Sequence, residues 1–90
     1  MGEPSTLVAG TVTSTQTGDW GNQSTWDCSC TPADSDDVVI DSGHTVTLSS
    51  NEQVACLTIK DDAVLDDGSN DLEVTSNFTL DGTYTTMVMY

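Results

Sequence analysis

Valines, leucines and isoleucines alternate with polar residues in short bursts along this chain, and the bursts recur. In Asp36-Asp37-Val38-Val39-Ile40-Asp41-Ser42-Gly43-His44-Thr45-Val46-Thr47-Leu48, Val38 and Ile40 share one face of an extended segment. Val46 and Leu48 share one face of the next, and Ser42-Gly43 supplies the backbone freedom for a corner between them. Cys56-Leu57-Thr58-Ile59 begins 18 residues beyond Val38, and Ala63-Val64-Leu65 follows at a similar offset from Val46. Leu72 and Val74 alternate again, and Phe78-Thr79-Leu80 with Tyr84 to Met89 makes another pair. A strand-corner-strand unit returning every roughly twenty residues signals stacked repeats, in which each unit buries its apolar face only against the next. The pattern predicts an all-β fold, a short parallel β-helix or β-solenoid of about three rungs with an N-terminal strand and a tryptophan and cysteine cap loop. No stretch has the helical period, and Pro4 and Pro32 fall outside the predicted strands.

The flanks divide the chain into a flexible arm at residues 1–10, broken by Gly2, Pro4 and Gly10, and a single domain over residues 11–90. Thr11 to Thr17 alternates weakly and predicts a strand whose exposed edge can pair with another chain. Gly18-Asp19-Trp20-Gly21-Asn22 reads as a turn, and Thr25 to Pro32 as a loop closing over the first repeat. Trp20 and Trp26 can each bury more area than any aliphatic residue, so they are read as a lid on the open end of the stack. The functional alternative is an exposed aromatic platform for sugar. The corners between residues 61 and 71, rich in Asp, Gly, Ser and Asn, are expected to stay in solvent.

Charge changes the picture most. Fifteen acids, twelve of them aspartate, stand against one basic residue, Lys60, for a formal net charge of −14 on 90 residues. Nucleic acid and anionic membranes are poor partners for such a surface. Self-repulsion at this density opposes compaction unless salt screens it, and in molar salt the screening length falls to about 3 Å. The composition therefore points to a halophilic setting, or to an acidic extracellular module neutralised by divalent cations. A domain this small is marginal without staples or partners, so a disulfide or a homo-oligomer is expected. The amino terminus has no basic region followed by an apolar run, and no stretch is long enough to cross a bilayer as a helix. The expectation is a chain made in the cytosol, or a fragment of a longer one. A surface-like composition without an export signal is typical of virion components.

The run Gly18-Asp19-Trp20, Ser24-Thr25-Trp26, Cys28, Pro32, Asp36 to Ile40, Ser42 to Leu48 and Cys56 to Ile59 carries a resemblance. It resembles the short β-helical modules of large secreted adhesins and repeat-rich surface proteins, in particular the opening turns of right-handed parallel β-helices. The likeness spans roughly residues 13–80, and the Trp20-to-Leu48 block is its distinctive part. It implies a fold and an extracellular setting, and it brings no catalytic residues with it. Similar modules carry cysteine at the positions of Cys28 and Cys56, which implies a disulfide between these two, with Cys30 left over. Closing that loop would stabilise by about 3 kcal/mol in the chain-entropy model.

The alternative for the cysteines is a Cys3His zinc set of Cys28, Cys30, His44 and Cys56, whose spacing matches no known finger. The resembled modules often carry histidine at the turn where His44 stands, so a turn residue is its simpler reading. Asp34 to Asp37 and Asp66 to Asp71 fit neither the EF-hand ligand order nor the calcium-binding nonapeptide, and solvated corners account for them. Acid pairs such as Asp37 and Asp41 are unavoidable at this density and point to no glycosidase. Neither a catalytic serine, histidine and acid series nor a phosphate-cradling glycine loop is legible, so neither an enzyme nor a cofactor is expected. Asn22 and Asn77 head glycosylation sequons.

The expected function is that of a non-enzymatic structural protein of a virus particle, a capsid decoration, cement, turret or fibre protein located on the virion. The alternative is an adhesin or carbohydrate-binding module at the cell surface or secreted. The expected partners are proteins, namely a capsid shell or sister subunits. The expected partner-binding residues are Leu7, Val8, Val12, Tyr84, Met87, Val88, Met89 and Tyr90, which lie at the two least acidic ends of the chain.

Overall fold

The computed structural model describes residues 10–85. Eight strands follow one another: β1 (Thr11–Thr13), β2 (Gly18–Asp19), β3 (Asp37–Ile40), β4 (Thr45–Thr47), β5 (Glu52–Ile59), β6 (Val64–Asp66), β7 (Leu72–Leu80) and β8 (Thr83–Thr85). One short 3₁₀ turn, Gln23–Thr25, interrupts them between β2 and β3. The fold is all-β. The odd-numbered strands make one parallel sheet in the order β1-β3-β5-β7, and the even-numbered strands make another in the order β2-β4-β6-β8. The chain thus passes from one sheet to the other at every corner.

Register follows from the alternation. Val12 stands opposite Val38 and Val38 opposite Leu57, Ile40 is opposite Ile59, and Val46 is opposite Leu65. The repeat between β3 and β5 is 19 residues (57 − 38), one more than the spacing read from the sequence. Between β5 and β7 it is 20 (74 − 54) as far as Val54 and 21 (78 − 57) from Cys56 onward, after a one-residue slip in register. Val12, Val38, Ile40, Val46, Leu48, Val54, Leu57, Ile59, Ala63 and Leu65 are buried together with both tryptophans. Each large aliphatic in such a stack stabilises by about 1.5–3 kcal/mol relative to exposure.

The corners are held by backbone chemistry. Gly43 (φ 84°) and Asp62 (φ 69°) take left-handed backbone at equivalent turns, and Gly43 N–H donates to the Asp62 carbonyl at 3.1 Å. On the opposite side, Asn70 Nδ2 donates to the Leu48 carbonyl at 3.1 Å, and Asn51 Oδ1 accepts from Asp71 N–H at 2.8 Å. Asp67 corrects the expectation that all the acids of residues 61–71 lie in solvent: it is only 5% exposed. Its Oδ1 accepts from Ser69 N–H and its Oδ2 from the Tyr84 hydroxyl, so hydrogen bonds compensate the burial.

The N-terminal end is closed. After the 3₁₀ turn the chain doubles back antiparallel along the outer side of β1, forming a bridge between Ser14 and Trp26. Thr15 N–H donates to the Thr25 carbonyl at 2.7 Å and Asp27 N–H to the Thr13 carbonyl at 2.9 Å. The outer edge is therefore occupied from Thr13 to Thr15, a stretch that the sequence reading left open to another chain, while Ser14 N–H on the inner side still donates to the Val39 carbonyl of β3 at 2.9 Å. Trp20 and Trp26 are 1% and 2% exposed and meet edge to face at 5.1 Å between ring centres. Gly10, placed by the sequence in the arm, is pinned by its carbonyl, which accepts from Asp37 N–H at 2.9 Å.

Among the described residues Lys60 forms an ion pair with Asp41, at 3.7 Å between two half-exposed side chains, worth at most about 1 kcal/mol. One cation cannot offset a net charge of −14. The melting temperature is accordingly expected to rise from dilute buffer to molar potassium chloride. An unchanged value would remove the case for salt adaptation.

Candidate functional site

At the other end of the two sheets, β7 and β8 are the last strands, and among the described residues nothing pairs with their outer edges. Val54, Leu57 and Ile59 of β5 are buried, whereas of their register partners Val74 is half-buried and Phe78 and Leu80 are exposed. Phe78 and Leu80 are each 48% exposed. Leu57, Leu72, Val74, Phe78 and Tyr84 line an apolar cleft of about 320 Å³ at this end. Phe78 meets Tyr84 edge to face at 6.2 Å. The cleft exists because β7 continues the inward alternation of β3 and β5 and, among the described residues, no further strand pairs beyond it.

Electrostatics single out the same strand. β7 is nine residues long and carries one acid, Glu73, in a chain that holds fifteen. Beside it Tyr84 donates to Asp67 Oδ2 at 3.1 Å. Partial burial, that hydrogen bond and the negative charges of Asp67 and Asp71 push the phenol up from 10.0 to about 12. The sign follows from linkage. The neutral, donating phenol is favoured by folding, so its contribution is fully present below the unfolded value of 10.0 and is lost as pH rises towards about 12. Stability should therefore fall in that alkaline window, and Tyr84→Phe should flatten the fall. An equally steep alkaline loss in the Phe variant would refute the assignment.

The partner-binding residues expected from the sequence are distributed unevenly. Tyr84 lines the open cleft, half-buried. Val12 is 4% exposed in the core and cannot meet a partner, because its alternation with Thr11 and Thr13 turns it inward. Leu7 and Val8, like Met87, Val88, Met89 and Tyr90, lie outside the described residues, as does most of the arm placed at residues 1–10. Phe78, Leu80, Leu72 and Val74 were read as inward positions of a stack. They form a surface because β7 is the edge of its sheet among the described residues.

The cysteines are arranged otherwise than expected. Cys28 and Cys30 are bonded to each other, with their Cα atoms 5.1 Å apart, and Cys56 is a free, half-buried thiol. The pairing of Cys28 with Cys56 is thus corrected. Ser29, with φ at 55°, folds the chain sharply between the two near neighbours. Cys56 is held in β5 between Asp37 of β3 and Asn77 of β7, whose side-chain amide lies 4.0 Å from its sulfur. The zinc alternative fails on the same geometry, since two of its four ligands are joined in the disulfide. Among the described residues no cluster of three or more His, Cys, Asp and Glu side chains is placed to hold a metal ion.

His44 has a different partner, which the sequence did not reveal. Ser14 Oγ lies 2.7 Å from His44 Nδ1 and accepts from Asp41 N–H at 2.8 Å. With the imidazole proton on Nε2, the Ser14 hydroxyl donates to Nδ1 while it accepts from Asp41 N–H. Ser14 is 2% exposed, so the pair ties the end of β1 to the β3–β4 corner and offers no accessible nucleophile. A second groove, of about 370 Å³, is lined by Asp34, Asn51, Glu52, Gln53, Asp71, Leu72 and Glu73. Its acids are solvated residues of the corners and strand starts. The sequon residues Asn22 and Asn77 are both exposed.

No protein-family model, curated protein or solved structure matches this chain.

Proposed function

We propose that the two sheets are the faces of a short parallel β-solenoid, and that the protein is a non-enzymatic structural component of a virus particle from a salt-rich environment. In this reading it decorates or cements a capsid, or builds a turret or fibre upon it, and its partners are the shell and sister subunits. The observation that carries the proposal is the asymmetry of the ends. The N-terminal edge is paired with residues 25–27 from Thr13 to Thr15, while the last strand pair leaves Phe78 and Leu80 half exposed on a nearly uncharged edge. An open edge with an apolar cleft is suited to strand addition and end-on assembly. Everywhere else the acids keep unrelated surfaces apart.

A carbohydrate-binding adhesin module would need an exposed aromatic platform, and burial of both Trp20 and Trp26 disfavours it. The test is occupancy on purified particles, comparing the full chain with forms lacking residues 1–9 or ending at Thr85, and with Phe78→Glu as a point variant. Reduced occupancy in at least one truncated form and in the point variant is expected. Full occupancy by all three would overturn the reading.

A further inference from the structure

We propose that the open end is closed by a second copy of this chain, with β7 pairing antiparallel to β7 of its partner about a two-fold axis at Ser76. The inference rests on the assembly reading above and names its first step. It starts from the sequence of β7, Leu72-Glu73-Val74-Thr75-Ser76-Asn77-Phe78-Thr79-Leu80, whose pattern is the same read in either direction. Apolar residues stand two and four positions from Ser76 on each side. In an antiparallel pair centred there, Leu72 faces Leu80 and Val74 faces Phe78 across the axis, Thr75 faces Asn77, and the acid Glu73 faces the neutral Thr79. Cross-strand apolar pairs of this kind are the stabilising unit of a sheet, and like charges directly opposite are what such a pair must avoid. A strand carrying an acid on each arm would place two carboxylates near each other in a chain of net charge −14.

The fold selects this geometry over others. Head-to-tail stacking would need a free β1 edge, and from Thr13 to Thr15 that edge already pairs with residues 25–27. A tail-to-tail contact leaves that pairing intact, and a two-fold contact of one edge with itself closes as a dimer, where a head-to-tail contact would grow into a fibre. An axis perpendicular to the sheets at Ser76 also keeps the inward faces aligned. The cleft lined by Leu57, Leu72, Val74, Phe78 and Tyr84 then meets its own copy, and the core runs through the junction. The residue by which β7 outruns β5 lies at Thr75-Ser76, between Val74 and Asn77, so the arms on either side keep regular strand pairing.

Cysteine cross-linking in the full chain tests the axis, using a Cys56→Ser background in which the remaining native cysteines are bonded to each other. Ser76, Glu73 and Thr79 are all exposed, so replacing them leaves the core intact. At the axis, Ser76→Cys meets its own copy at a Cβ separation of about 5 Å and should oxidise to a covalent dimer. Thr79→Cys lies about 20 Å from its own copy and should not, yet a mixture of Glu73→Cys and Thr79→Cys chains should form the mixed dimer. Light scattering in molar potassium chloride should give twice the 9.5 kDa chain mass, and Phe78→Glu should return it to monomer. A monomer at every concentration overturns the proposal without touching particle occupancy, which is measured separately. A dimer indifferent to Phe78→Glu, or one in which Thr79→Cys links to itself as readily as Ser76→Cys, overturns it equally.

Discussion

Replacing Gly82 by alanine is expected to destabilise the protein by about 3 kcal/mol or more. Gly82 forms the corner between β7 and β8, and its backbone N–H donates to the Ile59 carbonyl at 3.0 Å. A Cβ there would collide with the backbone carbonyl oxygens of Lys60 and Ala63 and press on the Ile59 side chain. Both carbonyls belong to the corner beneath, where the Ala63 carbonyl accepts from Thr83 N–H and the Lys60 carbonyl from Ala63 N–H. Neither can withdraw without breaking a hydrogen bond that holds the next corner. Overpacking ordinarily costs about 1–3 kcal/mol, and a clash with two fixed carbonyls should cost about 3 kcal/mol or more. A domain of this size has only about 5–15 kcal/mol in hand. Urea denaturation in molar salt measures the effect, with Gly10→Ala as the reference, since a Cβ on Gly10 meets nothing within 4 Å. Equal midpoints for the two variants would mean that the corners are not stacked as described.

Trp26→Ala should be the next most damaging change, at about 3–5 kcal/mol for truncation of a buried aromatic. Its indole is 2% exposed, and its Nε1–H donates to the Trp20 carbonyl at 2.8 Å, so alanine both empties the space and orphans a buried acceptor. Trp26→Phe separates the two effects, because it keeps most of the packing and loses the hydrogen bond at about 1–3 kcal/mol. Guanidinium titration followed by the fluorescence of Trp20 gives both values. Unchanged stability together with lost sugar binding would restore the platform reading.

The strands of this fold were legible wherever one face is buried. Val38, Ile40, Val46, Leu57, Ile59 and Leu65 alternate with polar residues, and that period of two placed them on inward faces of β3 to β6. The repeat is 19 residues and not 18 because Val38 is level with Leu57, whereas Cys56 is level with Asp37, and alternation alone does not fix which residues stand side by side. What escaped the sequence is tertiary. Residues 25–27 return along β1 only because the 3₁₀ turn, capped by the Asn22 side chain on Ser24 N–H, reverses the chain. The Cys28–Cys30 bond depends on the backbone of a single serine. Asp67 reads as one more corner acid until Tyr84 arrives from another strand to hold it. The candidate surface escaped for a related reason. Leu72, Val74, Phe78 and Leu80 have the same alternation as the buried positions of β5, and nothing local distinguishes a covered strand from the last one in a stack.

Amide hydrogen exchange, compared between the dispersed and the assembled protein, tests the central claim that β7 is the edge through which the protein assembles. Half of the β7 amides point away from β5 and, among the described residues, have no strand partner. On assembly, protection should rise across residues 72–80, while Thr13 and Thr15, whose amides already donate to Asp27 and Thr25 of the returning loop, should exchange at the same rate in both states. Unchanged exchange in β7, with new protection at the β1 end or on the acidic corners, would contradict the account.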